Sequence, residues 1–304
     1  MTTTTPQFNE AGLDVWTEPV AFTVEPERLA AYAAATNDPI PSHLAGEVAP
    51  PVFAIVPVFD SLLEPALEVV PLAVIGKVLH GEQDFRFHRP IRPGETLTSR
   101  ARMTGWQGLP NGTRACVYLE CCGADGELVN EQYVTFFIRG FDDGRALGEL
   151  SPGHRFDEEL RGAGPLVDLT QRIDDDQTFR YSPAAGDPMP IHLDEQVAID
   201  SGLPGIIAHG FCVLAFTSHA ILEHLGAGDV SRLKRLAVRF AKPVLPGQEI
   251  RTRVFEASRA GRGTTTYAFE TTVDGVPVLR DGLAVLTTCS STPQSETRDQ
   301  HGNP

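Results

Sequence analysis

Asp187 and His192 stand five residues apart in the segment YSPAAGDPMPIH. Both side chain types exchange protons in a useful range once partly buried. Pro188 and Pro190 forbid a regular helix around them and stiffen the loop. Two such side chains on one stiff loop can address a single water molecule, one withdrawing a proton and the other supplying it. An isolated Asp-x4-His pair is more often a capping aspartate beside a surface histidine, so its surroundings decide the reading. Downstream, His209–Gly210 precedes FCVLAFTSHAILEHL, a run that is apolar on nearly every side and reads as a buried helix over 211–225. Gly210 opens that helix. A backbone N–H at a helix start carries partial positive charge and can receive an oxygen that gains negative charge. A glycine there lets the reacting group come close.

The surroundings repeat. YAAATNDPIPSH (32–43) and YSPAAGDPMPIH (181–192) share Tyr, Asp, two prolines and His at a shift of 149 residues. RFHRPIRPGETLTSRA (86–101) and RFAKPVLPGQEIRTRV (239–254) match at a shift of 153. Tyr118 and Asp125–Gly126 return as Tyr267 and Asp274–Gly275. Three matches in the same order point to a duplicated domain. The stretch FDDGRALGELSPGHRFDEELRGAGP between the halves is polar and rich in Gly and Pro, as a linker should be. Its His154 reads as solvated. We expect a first domain over 1–145, a linker over 146–164, a second domain over 165–290 and a frayed polar tail over 291–304.

Each unit must position its loop with few elements. PERLAAYAAA (26–35) reads as a short helix with proline acceptable in the first turn. Leu97, Ser99, Ala101 and Met103 alternate with polar residues, the period of a half-buried strand. The Pro-Gly segments turn the chain between strands, and the Asp-Gly pairs sit where hairpin turns belong. The pattern predicts an α+β chain, each unit a buried helix covered by about four antiparallel strands.

Composition narrows the partners. With a formal net charge of −15, the chain lacks the basic footprint of a nucleic-acid binder. No apolar run reaches the length of a membrane span, and MTTTTPQFNE has neither the basic nor the apolar region of a signal peptide. Five cysteines, none in a metal-ligand spacing, read as reduced thiols in the cytoplasm.

The segment from Tyr181 to Gly210 resembles the signature of MaoC-like dehydratases and R-specific enoyl-CoA hydratases. Gly186–Asp187, Pro190, Ile191–His192, Asp194, Ala198 and His209–Gly210 carry that resemblance. It implies two tandem hot-dog domains, each an antiparallel sheet wrapped around a long buried helix. It implies reversible hydration of a trans-2-enoyl-CoA to the (3R)-3-hydroxyacyl-CoA, with Asp187 and His192 as the dyad and Gly210 N–H as oxyanion donor. It implies an acyl-CoA or acyl-carrier-protein thioester as partner, and no metal or organic cofactor. Met189, Pro190, His209 and Asp194 are the candidate substrate-binding positions. Asp194 also reads as a helix cap, and His209 as a residue that positions the helix start. The family usually has Asn two residues after the Asp; here Met189 and, in the first half, Ile40 stand there.

The first half keeps Asp38 and His43 but has Pro50–Pro51 where the second has His209–Gly210. Proline has no N–H to offer. One site, in the second half, is therefore expected, with the first half as scaffold for an acyl pocket. A stretch of about ten residues after His192, absent from the first half, would suit a short substrate-side helix. Two other readings share the fold: a thioesterase, and a non-catalytic acyl-binding partner subunit. The sequence leaves open whether two chains form a homodimer, although sheets of this kind pair edge to edge.

Overall fold

The computed structural model describes residues 6–260 and 263–288. The expected tail over 291–304 lies outside the described residues, as does Cys289. The first half runs β1 (Val20–Thr23), α1 (Pro26–Ala35), α2 (Pro41–Leu44), α3 (Phe59–Val69), β2 (Val78–Phe87), β3 (Thr96–Leu109), β4 (Gly112–Cys122), β5 (Leu128–Arg139) and β6 (Ala146–Gly148). The second runs α4 (Leu160–Ala163), β7 (Val167–Arg172), α5 (Gln177–Ala185), α6 (Glu195–Asp200), α7 (Gly210–Leu225), β8 (Leu233–Phe240), β9 (Glu249–Ala260), β10 (Thr264–Val273) and β11 (Val276–Thr287).

All strands join one antiparallel sheet in the order β1-β3-β4-β5-β2-β8-β11-β10-β9-β7, with β6 added beside β3. The order reads as one half followed by the other reversed. At its centre β2 pairs with β8, and Asp84 faces Ala237, its own counterpart in the repeat. The chain is thus the α+β double hot-dog that its repeat and motif imply, and the two halves are related by a pseudo-two-fold axis through this seam.

The second half buries a single long helix. From Phe211 to Leu222 every residue of α7 is buried, and each fully buried large apolar side chain contributes roughly 1.5–3 kcal/mol. Of its buried polar residues Thr217, Ser218 and His219, the first is satisfied by the sheet. Thr217 Oγ1 lies 2.9 Å from Thr271 Oγ1, which lies 3.0 Å from Thr252 Oγ1. In the first half the matching helix is in two pieces, a 3-10 segment over Pro51–Val58 and then α3. Pro57 lacks the N–H group that a continuous α-helix needs inside the segment. The predicted period-two strand is present in β3, where Leu97, Ser99, Ala101 and Met103 are buried. Asp274 and Gly275 both have positive φ, 48° and 77°, as a two-residue primed hairpin turn requires.

The connection over 146–164 is more structured than a solvated spacer. It adds β6 to the sheet edge, and Phe156 packs with Phe255, Ala268 and Leu160 in a small second core. His154, expected in solvent, is only 7% exposed. Its Nδ1 donates to the Asp281 carbonyl at 2.6 Å and its Nε2 lies 3.5 Å from Glu82. Polar composition predicted exposure; pairing with a half-buried carboxylate and a carbonyl reversed it. The four described cysteines are free, Cys121 buried and Cys122 partly exposed on successive positions of β4. Among the described residues no helix is long and apolar enough to cross a membrane.

Candidate active site

The two Asp loops begin alike. Helix α5 ends at Gly186 in the left-handed conformation, φ 76°, where glycine avoids the penalty of a side chain. Helix α1 is followed by Asn37 at φ 50°, its counterpart in the repeat. Asparagine tolerates that region better than most residues. Each left-handed residue delivers the aspartate that follows it. Asp187 N–H donates to the Ser182 carbonyl, as Asp38 N–H does to Ala33. Each carboxylate then folds over its own loop. Asp187 Oδ1 accepts from Met189 N–H at 3.1 Å, and Asp38 Oδ1 from Ile40 N–H at 2.9 Å, the local turn that Asp side chains favour.

The histidines part company. His43 Nδ1 lies 2.8 Å from Asp38 Oδ2, and both side chains are sealed from solvent. His192 turns instead to the loop that follows it, where its Nδ1 donates to the Ile207 carbonyl at 2.8 Å. A carbonyl only accepts, so this bond puts the proton on Nδ1 and leaves the Nε2 lone pair free. The orienting loop spans 193–207, against 44–48 in the first half. It contains α6 at the place where a helix was expected. Asp194 caps that helix, accepting from Val197 N–H at 3.0 Å. Glu195 holds the far end by accepting from Ile206 N–H.

His209 completes the group. Its ring stacks on His192 at 3.8 Å between centroids, and its Nε2 donates to the Asp187 carbonyl at 3.2 Å. His209 is 1% exposed, and its Nδ1 has no partner among the described residues. Among the described residues, Asp187, His192 and His209 form a cluster in which one ligand-type atom from each lies within 4.8 Å of the other two. Burial raises the Asp187 carboxyl above the usual range, against the Met189 N–H and the His192 charge that lower it. Burial also lowers the His192 imidazole, although the Ile207 carbonyl and Asp187 oppose this. His209 falls to about 3 through burial and then the adjacent His192. Both imidazoles are therefore neutral at physiological pH.

Gly210 opens α7, and its N–H precedes the first intrahelical bond, which runs from Val213 N–H to the His209 carbonyl. A side chain there would come 3.1 Å from the Phe240 ring. The structure thus brings Asp187, His192, His209 and Gly210 to one place. Met189 is 49% exposed at the loop tip and Pro190 opens the 3-10 turn that ends at His192. Asp194 spends its carboxylate on the α6 cap. Pro51 is buried at the start of the first half's 3-10 segment. Arg239 pairs with Glu82 at 2.8 Å, and Arg86 stacks over Tyr133.

One neighbour escaped the sequence reading. His80, on β2 of the first half, packs edge-on against Phe211 at 5.0 Å and Phe240 at 5.1 Å, the rings beside Gly210. Its Nε2 has no partner among the described residues, and burial lowers its imidazole to about 4. The repeat shift of 153 places Leu233 at the equivalent position. A histidine matched to a leucine was the available signal.

Comparison with known proteins agrees with this architecture. Residues 159–276 match the model of the MaoC like domain, and residues 12–132 match that of the FAS1-like, dehydratase domain region. The chain is 31% identical over 212 residues to 3-hydroxyacyl-thioester dehydratase Y of Mycobacterium tuberculosis, covering 67% of this chain and 71% of that protein. It is 29% identical over 212 residues to probable enoyl-CoA hydratase 2 of Dictyostelium discoideum, covering 69% and 70%. The crystal structure of a MaoC-like dehydratase from Phytophthora capsici shares the fold, with a TM-score of 0.80 and 24% identity over 92% of this chain and 98% of that one. With its duplicated sheet, its Gly-Asp and His-Gly segments and these matches, the chain belongs to the MaoC-like dehydratase family.

Proposed function

We propose that this protein is a hydro-lyase that adds water to a trans-2-enoyl-CoA, or removes it from the (3R)-3-hydroxyacyl-CoA, at a single site in the second half. The observation that carries the reading is the divergence of the two Asp–His pairs. The first is closed on itself and sealed. The second is held open, with Asp187 Oδ2 and His192 Nε2 uncommitted among the described residues.

A water bridging two partners by hydrogen bonds of about 2.8 Å can span up to about 5.6 Å, which the 4.8 Å cluster accommodates. In the hydration direction, the pair takes one proton from that water as its oxygen adds to C3. The pair then returns one proton to C2. Negative charge gathers on the thioester oxygen meanwhile, and the Gly210 N–H is placed to stabilise it. Residues 165–290 carry this chemistry. Residues 1–145 complete the sheet through β2 and contribute His80 to the wall, and 146–164 tie the halves together. The β2–β8 seam already supplies within one chain the pairing that a homodimer would supply, so the reading needs one chain. The free thiols suit a reducing cytoplasm.

The test follows loss of the enoyl-thioester ultraviolet absorbance, with a thiol reagent in parallel and chiral analysis of the product. Absorbance loss without free thiol, abolished in Asp187→Asn, supports the reading. Release of thiol would replace it with a thioesterase. An inert protein, on CoA and carrier-protein substrates alike, would leave a non-catalytic acyl-binding role.

A further inference from the structure

We infer that Ser182 and His209 are positioning residues: together they clamp the backbone carbonyl of Asp187 and so hold its carboxylate in the open arrangement beside His192. Ser182 Oγ donates to that carbonyl at 2.8 Å and His209 Nε2 donates to it at 3.2 Å. A carbonyl oxygen has two lone pairs, and the two donors fill both.

Three features make the clamp more than packing. First, Ser182 holds Asp187 from both sides. Its carbonyl accepts from the Asp187 N–H at 3.1 Å, while its hydroxyl donates to the Asp187 carbonyl. Second, Asp187 stands before Pro188, which disfavours helical backbone at the aspartate. With few conformations left, fixing the carbonyl fixes the direction in which the carboxylate leaves the chain. Third, both donors are buried, Ser182 at 6% and His209 at 1% exposure, so bulk solvent does not compete for the carbonyl. The Ile207 bond orients His192, and the clamp orients the aspartate that faces it.

The first half is an internal control. Ala33 stands at the place of Ser182 and Pro50 at the place of His209, and neither side chain has a proton to donate. The backbone bond is otherwise the same, with Asp38 N–H donating to the Ala33 carbonyl at 3.0 Å. There the carboxylate has closed on His43 at 2.8 Å. The two donors occur where the Asp–His pair is open and are missing where it is closed. Their consequence for turnover rests on the hydratase reading; the clamp itself does not.

The experiment uses the full chain with Ser182→Ala, His209→Leu, their double variant, and His209→Gln. Leucine fills the space without a donor, whereas glutamine returns an amide N–H to the place of Nε2. In enoyl-CoA hydration the double variant should lose about 10²-fold in kcat with KM held, the scale of a small misplacement of a catalytic group. That loss should exceed the product of the single losses, because either donor alone still ties the carbonyl. His209→Gln should recover most of the His209→Leu loss. A second measurement needs no turnover. The chain has two Asp–Pro bonds, Asp38–Pro39 and Asp187–Pro188, so isotope labelling of Asp carbonyl carbons and Pro nitrogens gives one magnetic-resonance signal from each half. Loss of a hydrogen bond moves a carbonyl carbon upfield. Ser182→Ala and His209→Leu should each move the Asp187 signal that way and leave the Asp38 signal in place, and the double variant should also move the His192 ring resonances. If the double variant does not fold, Ser182→Ala alone decides the carbonyl test. The inference fails if the Asp187 signal stays, if the His192 ring is unmoved in a folded double variant, if KM rises while kcat holds, or if glutamine and leucine at 209 behave alike. An inert wild type whose Asp187 and His192 signals respond overturns the hydratase reading and keeps the clamp. A wild type that hydrates while those signals stay does the reverse.

Discussion

Tyr32 and Tyr181, 149 residues apart and equivalent in the repeat, hydrogen-bond to each other through hydroxyl oxygens 3.2 Å apart. Both side chains are fully buried on the pseudo-two-fold axis. Each phenol is the partner of the other, so removing one strands the other in the core. Tyr32→Phe and Tyr181→Phe should each cost about 1–3 kcal/mol. The double variant should cost clearly less than their sum, because it leaves no orphan. Urea unfolding of the four proteins in a cycle measures this; strict additivity would contradict it.

The two Asp–His pairs should fail in different ways. Asp187→Asn should lower kcat by about 10²–10⁴ with a small change in Tm. Asp38→Ala should leave the buried His43 Nδ1 without its partner, costing about 1–3 kcal/mol, while turnover per folded molecule holds. Enoyl-CoA hydration and thermal melts on both proteins separate the cases. Loss of turnover in a folded Asp38→Ala protein would mean that the first half takes part in catalysis.

The role of the Gly210 N–H can be isolated. His209 has φ −59° and ψ 133°, the conformation that a residue before proline adopts, and proline is welcome at a first helical position. Gly210→Ala and Gly210→Pro both place a Cβ against Phe240, but only proline deletes the N–H. The proline variant should lose a further 10²–10³ in kcat, roughly the worth of one oxyanion donor. Equal losses in the two variants would assign the glycine to space alone.

The His154–Glu82 contact predicts a pH dependence of stability. Burial pushes His154 down, but the Glu82 hydrogen bond, the Asp281 carbonyl and the charges of Glu82 and Asp84 outweigh it and raise it above its ordinary 6.5. Burial pushes Glu82 up, but His154 and Arg239 outweigh it and lower it from 4.5 to about 2. A raised histidine stabilises the fold fully below its unfolded value and loses that effect as pH rises through its folded value. A lowered carboxylate stabilises above its unfolded value and loses that effect as pH falls. Their joint contribution is therefore complete between about pH 4.5 and 6.5. The gap in Tm between wild type and His154→Gln should be widest in that window and narrow above it. A gap that grows with pH would mean that His154 is neutral in the fold.

The parts of this molecule that were legible in the sequence are those that local chemistry dictates. The Asp-Gly turns, the alternation around Ala101, the all-apolar α7 and the Gly-Asp and His-Gly segments each declare themselves within a few residues. What stayed hidden depends on partners distant in sequence. Nothing near His154 reveals Glu82 or Asp281. Nothing near His80 reveals that it meets Phe211 and Phe240. His43 and His192 look identical in sequence, yet their rings turn opposite ways because only the second half has the longer loop that ends in the Ile207 carbonyl. Pro57 went unread in the sequence, and its effect depends on a core that accepts a 3-10 turn in place of the continuous helix.

The β2–β8 seam has a further consequence. In a dimer of identical chains, any change in one copy's loop is copied into the other, and a residue that improves folding at one site must be tolerated by the chemistry of both. Here the copies are covalently one but genetically separate. Pro51 could enter the first half without removing the N–H of Gly210, and a longer loop could enter the second without opening the sealed Asp38–His43 pair. The seam keeps the two copies mechanically matched while each accepts its own substitutions, so one can specialise in holding the sheet together and the other in handling water.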